Sequence, residues 1–196
     1  MVRLLHTEKD GFTLIELLIS TAIFSAIIAS IFSFSIAQRK YLSVQEQISE
    51  MVQNARAAMD MISGEVAAAG YRPTDGSVFV GISYDTSQLQ VMADLNGKDG
   101  PTDSNEDIIY SYNSSDKRIV RNTGGGNQPL VENVQNFSFE YLDATGNPTA
   151  VTADIRQIRL TITVRTSKPD PKYSVNSGYR TFTLTSLVIP RNLAYY

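Results

Sequence analysis

The 196-residue chain contains no cysteine and no tryptophan, and His6 is its single histidine. Without thiols, disulfides, iron–sulfur clusters, thiolate zinc sites and cysteine nucleophiles are excluded. If the N-terminus is removed, the working protein also lacks histidine, which excludes Ser-His pairs and the usual zinc-protease ligands. An enzyme built from this chain would have to rely on carboxylates, lysine or tyrosine. An excess of basic charge is missing too: 17 Lys and Arg stand against 20 Asp and Glu, for a formal net charge of −3. That balance argues against nucleic acid as the main partner. Proline is absent before Pro73, so nothing in the first third of the chain forbids a long helix. The length suits one ordinary domain plus an appendage.

Charge is scarcest near the start. From Phe12 to Ala37 the only charged side chain is Glu16, and the next is Arg39. As a helix this run would span roughly 39 Å at about 1.5 Å per residue, and about 20 residues suffice to cross a bilayer. Its serines and threonines are tolerable in lipid because short hydroxyls bond back to helix carbonyls. Three readings compete for the segment: a plain membrane anchor, a secretory signal with Ser35-Ile36-Ala37 as its cleavage site, and one that depends on Glu16. Secretory signals have shorter apolar cores and no acid at this place. An acid inside a membrane segment is by default functional, with an identifiable partner. If the chain were cut between Gly11 and Phe12, Glu16 would become the fifth residue of the product. A new α-amino group, positive below about pH 7.7–8.0, would then lie one helical turn away, on the same chain or on a neighbour.

The helix is predicted to run from Phe12 to about Ala69. Tyr41, Val44, Ile48, Met51, Ala55, Ala58, Ile62, Val66 and Ala69 recur every three or four residues, with polar side chains such as Gln45, Glu46, Arg56 and Glu65 between them. That is one face of an amphipathic helix. The stripe suits either a sheet or a coiled-coil stalk, and its alanines and the turn at its end favour the sheet. Gly70 is a C-terminal stop and Pro73 bars continuation.

From Tyr71 the pattern changes to short alternating runs between Gly, Asn, Asp and Pro clusters, the signature of strands and turns. Strands are predicted at Val78–Ser83, Gln88–Ala93, Asp107–Tyr112, Arg118–Arg121, Val134–Leu142, Gln157–Arg165 and Tyr179–Val188. The loops around Gly124-Gly125-Gly126-Asn127 and Lys168-Pro169-Asp170-Pro171-Lys172 are expected to be mobile. The glycine run lacks a following Gly-Lys-Ser/Thr and is not a phosphate loop. Asn113-Ser114-Ser115 and Asn136-Phe137-Ser138 fit the glycosylation pattern.

One dense acidic loop, Ala93–Tyr110, offers hard oxygen ligands. Asp94, Asn96, Asp99 and Asp103, with Gly97 and Gly100 to bend the backbone, provide what calcium requires. The EF-hand order fails, because Lys98 holds the fifth place counted from Asp94. A calcium site and a solvated hairpin loop both remain open here, and no other cofactor is expected. No nucleophile stands beside a base, and no carboxylate pair suggests a glycosidase, so an enzyme is not expected.

The stretch KDGFTLIELLISTAIF resembles the signal of type IV prepilins and type II secretion pseudopilins. Gly11, Phe12, Thr13, Leu14 and Glu16 carry the match. The resemblance implies a polar leader (Met1–Gly11), cleavage after Gly11 by a prepilin peptidase, N-methylation of Phe12, and a role for Glu16 in registering subunits in a helical filament. Basic residues on both flanks leave the helix orientation open; the resemblance places the leader in the cytoplasm. Further along, Tyr41, Gln45, Asn54 with Arg56, Ala69-Gly70-Tyr71 and Arg191-Asn192 look like PilW-type minor pilins, with GspJ-type pseudopilins related. The implied architecture is α+β: a transmembrane or filament-core helix (12–37), its amphipathic continuation (38–70), and a β-rich antiparallel domain (71–196). The implied partners are the peptidase, major and minor pilins, the inner-membrane assembly platform, and the bilayer before assembly. A membrane-anchored periplasmic or surface binding domain is the alternative from a different class.

Overall fold

A computed structural model describes residues 11–73, 78–98 and 100–193. The chain forms two compact units, residues 1–45 and 46–196. Helix α1 (Leu14–Ala68) is followed by strands β1 (Gln88–Met92), β2 (Asp107–Asn113), β3 (Arg118–Asn122), β4 (Asn127–Glu132), β5 (Val134–Leu142), β6 (Gln157–Arg165) and β7 (Thr181–Val188), with short 3-10 turns before β6 and β7. The α+β class, one long helix packing on antiparallel sheets, is as expected from the sequence.

In the first unit the helix carries apolar side chains outward along its length, among them Ile15, Leu18, Phe24 and Phe32. It is long and apolar enough to cross a membrane. Its hydroxyls are satisfied within the helix: Thr21 Oγ1 donates to Leu18 O, Ser25 to Thr21 O, Ser30 to Ala26 O and Ser33 to Ala29 O, all at 2.7–2.9 Å.

In the second unit the strands form two meanders, β1-β2-β3-β4 and β5-β6-β7, every neighbouring pair antiparallel. The helix stripe Met51, Ala55, Ala58, Ile62, Val66 and Ala69, joined by Met59, is buried in one core with both sheets. Sheet residues Leu89, Val91, Ile108, Tyr110 and Ile119 come from the first meander, and Phe137, Ile158, Leu160, Ile162 and Val164 from the second. Period-two alternation explains the second set, since one face of β6 presents Ile158, Leu160, Ile162 and Val164 together. Opposite them in register stand Phe137, Phe139 and Tyr141 of β5 and Val164-facing Phe182 and Ile162-facing Leu184 of β7. The stripe does not extend to Tyr41, which is exposed.

Two strand predictions need correction. Val78–Ser83 is not a strand; only Ile82 makes an isolated bridge, to Val91. Continuing that register would set Val80 opposite Ala93 and Val78 opposite Leu95. That edge of β1 is already taken by the end of the helix, with Gly70 N donating to Met92 O and Asp94 N to Tyr71 O. Conversely, β4 was not among the predicted strands, and its first residue, Asn127, was placed in a loop. Its Pro129 withholds a donor, which is tolerated because β4 is an edge strand, and the Gly124–Gly126 run is the hairpin turn leading into it.

Candidate processing and assembly site

Gly11 and Phe12 precede the helix in irregular backbone. Phe12 is 89% exposed, and a Cβ added at Gly11 would meet nothing within 4 Å. Among the described residues, both sides of this peptide bond are exposed. Residues 1–10 of the expected leader lie outside the described residues.

Thr13 begins the helix. Its carbonyl accepts the first intrahelical bond, from Leu17 N at 3.2 Å. Thr13 N and Thr13 Oγ1 both donate to Glu16 Oε2 at 2.8 Å, and Glu16 N donates to Thr13 Oγ1 at 3.3 Å. This is a reciprocal capping box, in which two otherwise orphaned donors at a helix start are satisfied by the side chains of the cap and of the third helical residue. The Thr-x-x-Glu spacing was present in the sequence and signals such a cap, yet Thr13 was read only as part of the resemblance. Both donors fall on Oε2, so the carboxylate meets its own helix through one oxygen. The acid also sits in the first turn, where the helix dipole favours negative charge.

The opposite end of α1 explains Arg191-Asn192. Arg191 N donates to Ala67 O at 3.1 Å, and Asn192 Nδ2 lies 3.3 Å from Ala68 O and 3.5 Å from Ala69 O. Helix-end carbonyls lack intrahelical donors, and here the segment after the last strand supplies them. Gly70 follows at φ +75, the left-handed conformation suited to a helix stop.

A cluster that sequence reasoning missed joins this end of the helix to the first sheet. Glu65 accepts from Tyr110 Oη, from Arg121 Nη2 at 2.8 Å and from Arg121 Nε at 3.3 Å. Arg121 Nη2 also donates to Asn105 Oδ1 at 3.2 Å. Tyr110 is fully buried. Burial and the neighbouring Glu65 carboxylate push its hydroxyl far above the usual tyrosine range, against the opposing pull of Arg121. Nothing in the local sequence pairs residues so far apart; Glu65 looks like any polar residue of the exposed face.

The acidic loop is organised by carboxylates that accept backbone N–H groups. Glu106 Oε1 accepts from Leu95 N and Asn96 N, and Oε2 from Asp103 N. Burial opposes its ionisation, but these N–H donors prevail and hold it below the usual carboxylate range. Asp94 is fully buried, and its Oδ1 accepts from Gly97 N at 2.6 Å. Asn96 bonds Asp103 through Nδ2 and accepts Lys98 N at Oδ1. Among the described residues no three acidic or histidine side chains gather as a metal ion would require. Asp99 lies outside the described residues. The 168–172 loop is tied down by Asp170, which accepts from Lys172 N and from Arg180 Nε and Nη2.

Residues 8–32 match the family described as the prokaryotic N-terminal methylation motif, so the type IV pilin-like signal read from the sequence is present. No curated protein matches the chain. Among solved structures, a type IV-like pilin from Thermus thermophilus is similar, with 14% identity and a TM-score of 0.46, over 72% of this chain and 97% of that one.

Proposed function

We propose that the chain is a minor pilin subunit of a type IV pilus, a structural component rather than an enzyme. Prepilin peptidase cuts after Gly11, and Phe12 is then N-methylated. Residues 12–37 hold the protein in the inner membrane, residues 38–70 continue the helix, and the domain from residue 71 lies outside the cytoplasm. The subunit then leaves the bilayer for the filament, where it primes or caps assembly beside other major and minor pilins on the inner-membrane platform. The observation that carries this reading is the methylation motif at residues 8–32, set on a helix whose apolar side chains face outward and whose sole charge before Arg39 is Glu16. Apolar helices exchange lipid for one another in a filament core, and Glu16 there neutralises an α-amino group of a subunit. A GspJ-type role in a type II secretion pseudopilus shares the same observation. A neighbouring cluster of minor pilin genes favours the pilus, and secretion outer-membrane genes favour the pseudopilus.

The test is the N-terminus of the mature protein, determined by mass spectrometry on membranes from the native host. N-methyl-Phe12 is expected. An intact Met1, or a start at Gln38, would overturn the reading in favour of an anchored binding domain or a secreted protein.

A further inference from the structure

The edges of the two sheets are β1, β4, β5 and β7, and the first three are occupied or guarded. On β1, Met92 O accepts Gly70 N and Met92 N donates to Gly81 O. Strand β5 receives donors from outside its own sheet, Tyr112 Oη at Val134 O and Gln135 O, and Thr149 N at Tyr141 O. Strand β4 carries Pro129 and Glu132, and its register with β3 is broken by a shift; proline, charge and irregular register are the usual means of keeping an edge from pairing. Strand β7 has none of these. Its sequence, TFTLTSLV, holds no charge and no proline, and its register with β6 is unbroken from Thr181 to Val188. Among the described residues no hydrogen bond reaches its outer main-chain groups.

One contact fixes which groups those are. Arg180 O accepts Thr166 N on the β6 side, and residues of an antiparallel strand alternate between facing one neighbour and facing the other. Phe182, Leu184 and Ser186 therefore face β6. Thr181, Thr183, Thr185 and Leu187 present their N–H and C=O groups outward. Phe182 and Leu184 pack against the core yet are only half-buried where the sheet stops. On the opposite face the hydroxyls of Thr183 and Thr185 pair with those of Thr163 and Thr161 at 2.9 and 3.2 Å, a threonine row that ends at the edge.

We propose that β7 pairs antiparallel with β7 of a second copy of this chain, about a two-fold axis at Thr183. A two-fold contact uses the same patch on both copies, and in this register the strand is its own complement. Thr183 meets Thr183, Thr181 meets Thr185, and each of these pairs exchanges two main-chain bonds because all of them face outward. On the core side Phe182 meets Leu184, so the half-buried pair covers itself, and on the other face the threonine row continues across the axis. Matched cross-strand pairs of this kind stabilise a sheet. Moving the axis to Leu184 or Thr185 sets Phe182 or Leu184 against Ser186 and a threonine against Leu187. No charged residue lies between 181 and 188 to oppose its own copy. The proposal concerns the second unit alone and stands whether or not the chain enters a filament.

The test uses the full chain in detergent micelles and exploits its lack of cysteine. Thr183→Cys and Leu187→Cys each introduce one exposed thiol. Across the proposed axis two thiol-bearing residues at 183 stand about 5.5 Å apart between Cα atoms, and two at 187 about 27 Å apart, at about 3.4 Å per residue. A short bis-maleimide is expected to link the 183 variant into dimers at least tenfold faster than the 187 variant. Thr183→Lys sets like charges on the axis. It is expected to weaken dimerisation at least tenfold in sedimentation equilibrium, with the melting temperature of the dilute protein unchanged. If Thr183→Lys disturbs the fold, the cross-linking ratio alone decides. The proposal is overturned by a parent that stays monomeric, by equal cross-linking at 183 and 187, or by a dimer that a folded Thr183→Lys variant leaves as strong, as one joined through the apolar helix would be.

Discussion

Replacing Glu65 by glutamine keeps the shape of the side chain and removes its charge. In the parent, the carboxylate accepts from two nitrogens of Arg121 and from the hydroxyl of buried Tyr110. The side chains of Arg121 and Glu65 are 20% and 23% exposed, so solvent screens the pair only in part. A hydrogen bond to a charged group is worth about 1.5–3 kcal/mol, and the substitution weakens several while leaving a guanidinium half-buried without its counterion. A cost of about 2–3 kcal/mol follows for the variant. The second unit holds about 150 residues, a size at which 1 kcal/mol shifts Tm by about 2–4 °C. The expected loss is therefore about 5–10 °C, followed by near-ultraviolet circular dichroism of the full chain in detergent. Arg121→Met should cost a similar amount. The double variant Glu65→Leu/Arg121→Leu should melt above either single one, because removing both partners leaves no orphaned charge. Single variants that melt within 1 °C of the parent, or a double variant whose loss equals the sum of the singles, would refute the claim that this cluster fastens the helix to the first sheet.

Other expectations follow from the same contacts. Burial pushes Tyr141 up to about 12, whereas an unfolded tyrosine ionises near pH 10; the stability it contributes is complete below about pH 10 and is lost as pH rises toward 12, so Tyr141→Phe should flatten that alkaline fall in Tm. Asn192→Ala withdraws donors from the end of α1 and should cost about 1 kcal/mol, read as a Tm lower by about 2–4 °C; an unchanged Tm would show that the cap is idle. For calcium in the acidic loop, Asp94 Oδ2 is buried without a hydrogen-bond partner. If the loop does hold the ion, calcium at 100 times its Kd adds about 2.7 kcal/mol to the parent and nothing to Asp94→Ala; no response in the parent, or an equal one in both, removes the site. Thr13→Val abolishes the hydroxyl that faces Glu16, and is expected to lower incorporation into filaments while membrane insertion stays normal; Thr13→Ser should restore it, and failure of that rescue would show that the hydroxyl is not what matters.

Where a structural cause is local, it was legible in the chain. The helix from residue 14 to 68, the buried stripe and the alternation of β5 and β6 all follow from periodicity, which the backbone geometry imposes on any sequence. The misses share a different origin. Whether Val78–Ser83 becomes a strand depends on what else reaches that edge of β1, because Gly70 N takes Met92 O and Tyr71 O takes Asp94 N. Strand β4 forms despite Pro129 because an edge has one side that needs no donor. The Glu65–Arg121 pair spans 56 residues of sequence, and no local pattern encodes it. The acidic loop shows the same limit: carboxylates that looked like metal ligands in a row are in part committed to backbone N–H groups, Glu106 above all.

Glu16 was conspicuous in the sequence for its isolation, and its geometry adds a constraint on what it can do. A carboxylate that only snorkelled from a membrane helix would need no partner at fixed distance. This one is held by Thr13 through Oε2, which orients the side chain back toward the residue that cleavage would turn into the N-terminus. A carboxylate has about four acceptor positions on its two oxygens, so capping its own helix and receiving an amine are compatible. After cleavage the amine of the same chain would lie on Phe12, just before Thr13. The capping box thereby links two demands that the sequence alone presented separately. The helix needs a cap at Thr13 because its first N–H groups have no other acceptor, and the proposed filament core would need an acid held where an incoming amine arrives. The cap is what the structure holds; under the proposed function the same side chain would also receive the amine, and the two demands together would place one acid near the start of the apolar run with no other charge until Arg39.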